Sequence, residues 1–186
     1  MATNIPNKII VHHTGGSDAN PLQDSSNFTF EACDKLHKEK FNMKSSLGFY
    51  VGYHYYIEKN GTLKQARLDI DEGAHTIGQN TSSIGVCLAG NFDLTLPTEA
   101  QTIALTALLI TLSMKYGIAP ENIYPHRSFS SKTCYGNKLS SLWASNLVRN
   151  FLNPIPPVVD VIKEMTREEK VAKALALIRE AAELLK

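Results

Sequence analysis

Apolar residues come in short runs separated by polar punctuation as far as Asn153, and then the pattern changes. Lys8-Ile9-Ile10-Val11-His12-His13-Thr14 is too short for a helix and is stopped by Gly15-Gly16, so it predicts a buried strand. Ser83-Ile84-Gly85-Val86-Cys87-Leu88-Ala89-Gly90 reads the same way. Phe28, Ala32 and Leu36 fall at helical intervals and predict a helix over 28–41. Residues 50–58 and 62–67 flank Asn60-Gly61, a strong hairpin signal. Thr98 and Gln101 have the spacing of a capping box. Leu105, Leu108, Leu109, Leu112 and Tyr116 carry that helix forward, and Gly117 ends it. A further helix is expected over 139–152. Strands alternating with helices predict an α/β fold: a single layered domain, residues 1–153, with a central mixed β-sheet flanked by helices.

Pro154-Ile155-Pro156-Pro157 interrupts both helix and sheet and opens a stiff linker, residues 154–165. Thr166 and Glu169 then cap a C-terminal amphipathic helix, residues 166–186, whose stripe includes Val171, Ala174, Leu175, Ile178, Ala182 and Leu185. Residues 158–186 carry six basic and six acidic side chains, so this is no membrane-disrupting basic helix. It is expected to pack on the domain, to self-associate weakly through its stripe, or to help bind a cell wall.

Charge narrows the choice of partners. The chain of 186 residues is 43% apolar and 20% charged, with a net charge of +1, which gives no broad electrostatic case for nucleic acid or an anionic membrane. Neither a signal peptide nor a stretch long enough to span a bilayer is recognisable. Cys33, Cys87 and Cys134 are too few for a disulfide framework, which suits folding in a reducing cytosol.

Three residues offer metal chemistry. His126 and Cys134 bracket a short loop rich in serine and lysine, and His12 would reach the same point from a rigid strand. Imidazole and thiolate donors favour zinc, and three protein ligands leave one position open, as in catalytic zinc sites. Adjacent strand residues face opposite ways, so His12 and His13 cannot both serve the site. On spacing alone, six histidines offer many accidental trios, and a metal-free α/β binding domain reads at least as well.

Four segments in order tip the balance: Val11-His12-His13-Thr14, Val51-Gly52-Tyr53-His54-Tyr55, Asn80-Thr81-Ser82-Ser83-Ile84-Gly85-Val86-Cys87-Leu88, and residues 126–134. Together they resemble the type 2 N-acetylmuramoyl-L-alanine amidases, which include phage lytic enzymes and animal peptidoglycan recognition proteins. The resemblance covers residues 8–152. It implies one zinc ion per chain held by His12, His126 and Cys134, with Tyr53 and Lys132 catalytic. It also implies that His75 and Asn80 form the substrate-binding edge of the cleft, His75 by touching substrate or supporting the ligands, Asn80 by ordering its loop. Lys132, two residues before Cys134, leans towards the phage members, and Cys134 stands where the muropeptide-recycling branch has aspartate. The implied substrate is bacterial peptidoglycan, cut between the lactyl group of N-acetylmuramic acid and L-alanine. An endolysin-like enzyme of this kind would wait in the host bacterial cytoplasm before release to the wall. The competing expectation is a non-catalytic peptidoglycan-binding module of the same fold.

Overall fold

Strand β1 (Lys8–His13) is the spine of the molecule, and every residue after Lys8 in it is buried. In the computed structural model, which describes residues 3–17 and 19–152, it sits inside a five-stranded sheet. The other strands are β2 (Tyr55–Ile57), β3 (Leu63–Gln65), β4 (Ser83–Leu88) and β5 (Ile123–Pro125), in the spatial order β3-β2-β4-β1-β5. β2, β4, β1 and β5 run parallel, while β3 pairs antiparallel with β2, so the sheet is mixed. Strands covered on both faces need apolar side chains on both, which explains the unbroken runs of β1 and β4.

Helices supply the two covers. Helix α1 (Phe30–Lys40) packs Phe30 and Cys33 with Val51, Tyr56 and Cys87 on one face. Helices α2 (Glu99–Tyr116) and α3 (Trp143–Leu152) lay Leu105, Leu109, Leu112, Ala144 and Val148 over Ile9, Val11, Ile84, Val86 and Leu88 on the other. Alternation along β1 therefore gives Ile9 and Val11 to the α2 side and leaves His12 on the α1 side. The capping box of α2 forms as its sequence predicts, with Thr98 accepting from the Gln101 N–H and left-handed Gly117 closing the other end. The buried Gln101 side chain also donates to Ala89 O at 2.8 Å, tying α2 to the end of β4.

Several elements are shorter than their patterns suggest. The segment expected as strand from residue 50 becomes strand only at Tyr55, because side chains of α1 claim the earlier N–H groups. Asp34 Oδ1 accepts from Tyr50 and Val51, and His37 Nδ1 accepts from Gly52 at 2.9 Å. The predicted hairpin does pair, but over three residues a side. Helix α3 starts at Trp143 rather than residue 139. The chain before it runs through successive turns, with Tyr135 Oη donating to Ser140 O and Arg127 Nη2 to Leu139 O. The expected linker 154–165 and C-terminal helix 166–186 lie outside the described residues.

Candidate metal centre

Parallel strands end together, so their C-terminal ends can gather residues far apart in sequence. Register pairs Val11 with Pro125, and the next residues, His12 and His126, emerge abreast with ring centroids 4.4 Å apart. His126 opens a single 3-10 turn (His126–Ser128) immediately after β5.

Cys134 arrives on a loop that is held at several points. The Arg127 N–H donates to Cys134 O at 2.5 Å, and the Arg127 guanidinium donates to Gly136 O at 2.7 Å and Leu139 O at 2.8 Å. From the opposite side Asp93 accepts from Thr133 Oγ1 at 2.6 Å and from the Asn137 N–H at 2.7 Å. Gly136 is required twice: its φ is +104°, and a Cβ there would lie 2.3 Å from the backbone of Phe92.

These supports place one donor atom each from His12, His126 and Cys134 within 4.8 Å of one another. Cys134 Sγ is 3.8 Å from His12 Nδ1, close to the ligand separation of about 3.3–3.8 Å that tetrahedral zinc imposes at ordinary bond lengths. The backbone N–H of His13 donates to the same sulfur at 3.3 Å, a contact suited to a thiolate. His13 itself faces away, its Nδ1 accepting from the Phe92 N–H at 2.9 Å, so only the first of the paired histidines enters the site.

Burial sets the electrostatics. It holds His12 well below the ordinary imidazole pKa, with help from the neighbouring His75 and His126. It pushes the Cys134 thiol up to about 12, against the opposing pull of the His13 N–H. Two neutral imidazoles and a thiol with an N–H already aimed at its sulfur form a donor set that a divalent cation would complete. The residues present fit zinc.

The cleft in front of the trio has a volume of about 560 Å³ and is lined by Tyr53, His75, Asp93 and Lys132 among others. Tyr53 lies 5.0 Å from the His12 ring. Burial raises its pKa well above the phenol value, with Cys87 as a hydrogen-bonding neighbour, so it stays a neutral donor. Lys132 is exposed at the cleft wall, and its charge reaches His126, where after burial it is the next influence lowering the imidazole pKa. His75 turns Nδ1 towards His12 Nε2 at 3.0 Å. Asn80 does not reach the cleft with its carboxamide oxygen, which accepts from the N–H groups of His75 and Thr76 at 3.0 and 2.9 Å.

Sequence reasoning overlooked three supports of the site, Asp93, Arg127 and Thr76. None lies in a periodic pattern, and all act through contacts that only the fold creates. His37 and His54 fill structural roles: His54 Nδ1 accepts from the Gly85 N–H at 3.0 Å, and its Nε2 faces Asp71 O at 3.0 Å.

A mixed, mostly parallel sheet thus carries, beyond the C-terminal ends of its strands, a His-His-Cys cluster able to hold a metal ion. The sequence profile of the N-acetylmuramoyl-L-alanine amidase family matches residues 2–137, and the chain belongs to that family. It is 37% identical over 102 residues to the endolysin of Escherichia phage T7, an alignment covering 52% of this chain and 66% of that one. It is 26% identical over 136 residues to the N-acetylmuramoyl-L-alanine amidase of Homo sapiens, covering 72% of this chain and 23% of the relative. The chain thus spans just under two thirds of the phage relative and a small part of the human one. Among solved structures, the endolysin amidase LysCS from Clostridium intestinale URNW superposes with a TM-score of 0.63 at 27% identity, covering 82% of this chain and 89% of that one. Bumblebee PGRP-SA superposes with a TM-score of 0.60 at 22% identity, covering 84% and 89%, a likeness of fold.

Proposed function

We propose that the protein is a zinc-dependent N-acetylmuramoyl-L-alanine amidase of the endolysin type, acting on bacterial peptidoglycan. The convergence of His12, His126 and Cys134 at the floor of an open cleft carries this reading. Zinc bound there supplies an activated water and polarises the scissile carbonyl. Water adds to the lactyl carbonyl carbon, one of its protons passes to the nitrogen as the C–N bond breaks, and the second follows to leave a carboxylate and the ammonium form of the L-alanine amine.

The chain's own residues do the rest. Lys132 brings a positive charge to the cleft wall, where the carbonyl oxygen gains negative charge in the transition state. Tyr53 is held neutral, so it serves by donating a hydrogen bond and does not take up the water's proton. The His13 N–H stabilises the Cys134 sulfur in its charged form. His75 and Asn80 form one edge of the substrate region, Asn80 by holding the loop from which His75 projects.

Among the described residues no helix is long and apolar enough to cross a membrane. An enzyme of this type would stand in the host bacterial cytoplasm until released to the wall. The deciding experiment measures zinc per chain and newly released N-terminal L-alanine from purified walls, for the wild type and Cys134→Ser. One zinc with amine release, both lost in the variant, is the expected result. Zinc binding without amine release would instead make the protein a peptidoglycan-binding module.

A further inference from the structure

His12 presents one ring nitrogen to Cys134 and the other to a second pair of residues. Nδ1 lies 3.8 Å from Cys134 Sγ, while Nε2 lies 3.0 Å from His75 Nδ1 and 3.4 Å from Thr76 Oγ1. A neutral imidazole has one proton, and a nitrogen that carries it has no lone pair for a metal. His12 can therefore ligate through Nδ1 only while its proton stays on Nε2. The acceptor offered to Nε2 selects that tautomer.

His75 is placed to be the acceptor. Thr76 Oγ1 is 2.9 Å from His75 Nδ1, so the Nε2 proton of His12 reaches that nitrogen directly or through the Thr76 hydroxyl. By either path His75 Nδ1 is the final lone pair. The ring meets His12 edge-on, at 88° and 5.0 Å between centroids. It lies in a slot cleared by two glycines: a Cβ on Gly73 or on Gly85 would come within 2.5 Å of His75 Cδ2. Asn80 fixes the backbone beneath it.

The remaining ring nitrogen, His75 Nε2, is buried with no hydrogen-bond partner. A slot that merely needed filling would be served better by an apolar side chain, which leaves no orphaned polar atom. The orphan makes sense if the fold keeps histidine for its other nitrogen.

We infer that His75 is the positioning residue of the metal centre: its Nδ1 accepts the Nε2 proton of His12 and so holds His12 Nδ1 free to ligate. In this role His75 needs no contact with substrate. The inference rests on the zinc reading of the trio, and its test separates the two.

Zinc affinity, from competition with a chromophoric chelator, is compared for wild type, His75→Leu and His75→Asn, with urea midpoints to confirm folding. Leucine fills the slot without an acceptor, whereas asparagine carries its carboxamide oxygen the same number of bonds from Cα as Nδ1. Loss of about 10–100-fold in zinc affinity is expected for His75→Leu, with most of it restored in His75→Asn. Wild-type affinity in folded His75→Leu, or equal losses in both variants, overturns the inference while leaving the zinc site standing. Failure of the wild type to hold zinc overturns the site itself and the inference with it. A readout on the wild type alone guards against variants that do not fold: imidazole 15N shifts of the zinc-loaded protein should show His12 protonated at Nε2. Metal at Nε2 and a proton at Nδ1 would overturn the assignment.

Discussion

Replacing Asp69 by asparagine tests how much a buried carboxylate with three hydrogen-bond donors stabilises the fold. The carboxylate is buried, with 5% of its side chain exposed, and receives three donors. Tyr55 Oη donates at 2.7 Å, Tyr116 Oη at 2.7 Å and Lys115 Nζ at 2.8 Å. Hydrogen bonds to a charged group contribute about 1.5–3 kcal/mol each, roughly twice a neutral one. Lys115 contributes little of this, because its ammonium is 57% exposed and water can replace the partner. Asparagine keeps one oxygen acceptor, so it loses the charge assistance on two tyrosine bonds and forces one hydroxyl to turn. That sums to about 2–3 kcal/mol, or a fall of about 5–10 °C in melting temperature for a domain of this size.

The pH dependence has a definite sign. Burial alone would raise the Asp69 pKa, but Lys115, Tyr55 and Tyr116 outweigh it and hold the group below the usual carboxylate value. A depressed carboxylate stabilises the fold above its unfolded pKa of about 4 and loses that contribution as pH falls through the folded value. Urea unfolding at pH 7 should therefore show Asp69→Asn well below wild type, with the gap closing as the pH drops below 4. Other carboxylates titrate in both proteins and cancel in the difference. A gap below about 0.5 kcal/mol at pH 7, or one that persists unchanged at pH 3, would refute the reasoning.

Four further outcomes are expected. Lys132→Ala should lower kcat by about 10²-fold while zinc content stays at the wild-type level, because the lysine acts on developing charge and not on the metal; steady-state kinetics on a soluble muropeptide would check it. Asn80→Ala should cost about 1–2 kcal/mol in urea unfolding by stripping an acceptor from two N–H groups, whereas Asn80→Asp should cost far less. Gly136→Ala should destabilise by more than about 2 kcal/mol, seen as a lower thermal midpoint, because both its φ and its contact with Phe92 exclude a side chain. Stripping zinc with a chelator should abolish amine release and lower the thermal midpoint, and re-addition at about 100 times Kd should restore about 2.7 kcal/mol.

Much of the fold was legible because local signals agreed with the global arrangement. Helix α2 shows this best: Thr98, Gln101, the leucine spacing and Gly117 all pointed to the element that formed. Residues 50–54 show the opposite. Their aromatic and apolar pattern suggests strand, yet Asp34 and His37, distant in sequence, take the N–H groups a neighbouring strand would need. Strand β5 is only three residues long and ends in proline, too brief to stand out from the loop it precedes. The trio was legible as types and order of residues. Its geometry was not, since Arg127 and Asp93 hold the Cys134 loop by contacts to backbone groups and the Thr133 hydroxyl that no local pattern announces.

The three candidate metal-holding residues rest on two kinds of support. His12 sits on a buried inner strand, paired with Cys87 of β4 and one residue beyond the Val11–Pro125 pair with β5. His126 follows the edge strand by one residue and inherits much of that rigidity. Cys134 has no strand beneath it and depends on one backbone hydrogen bond from Arg127 and on clamps from the Arg127 and Asp93 side chains, charged bonds of about 1.5–3 kcal/mol each where water does not compete. Loss of one clamp should therefore shift the sulfur before it disturbs either imidazole. The same loop carries Lys132 two residues before Cys134, so a clamp variant that shifts the sulfur should shift the lysine as well.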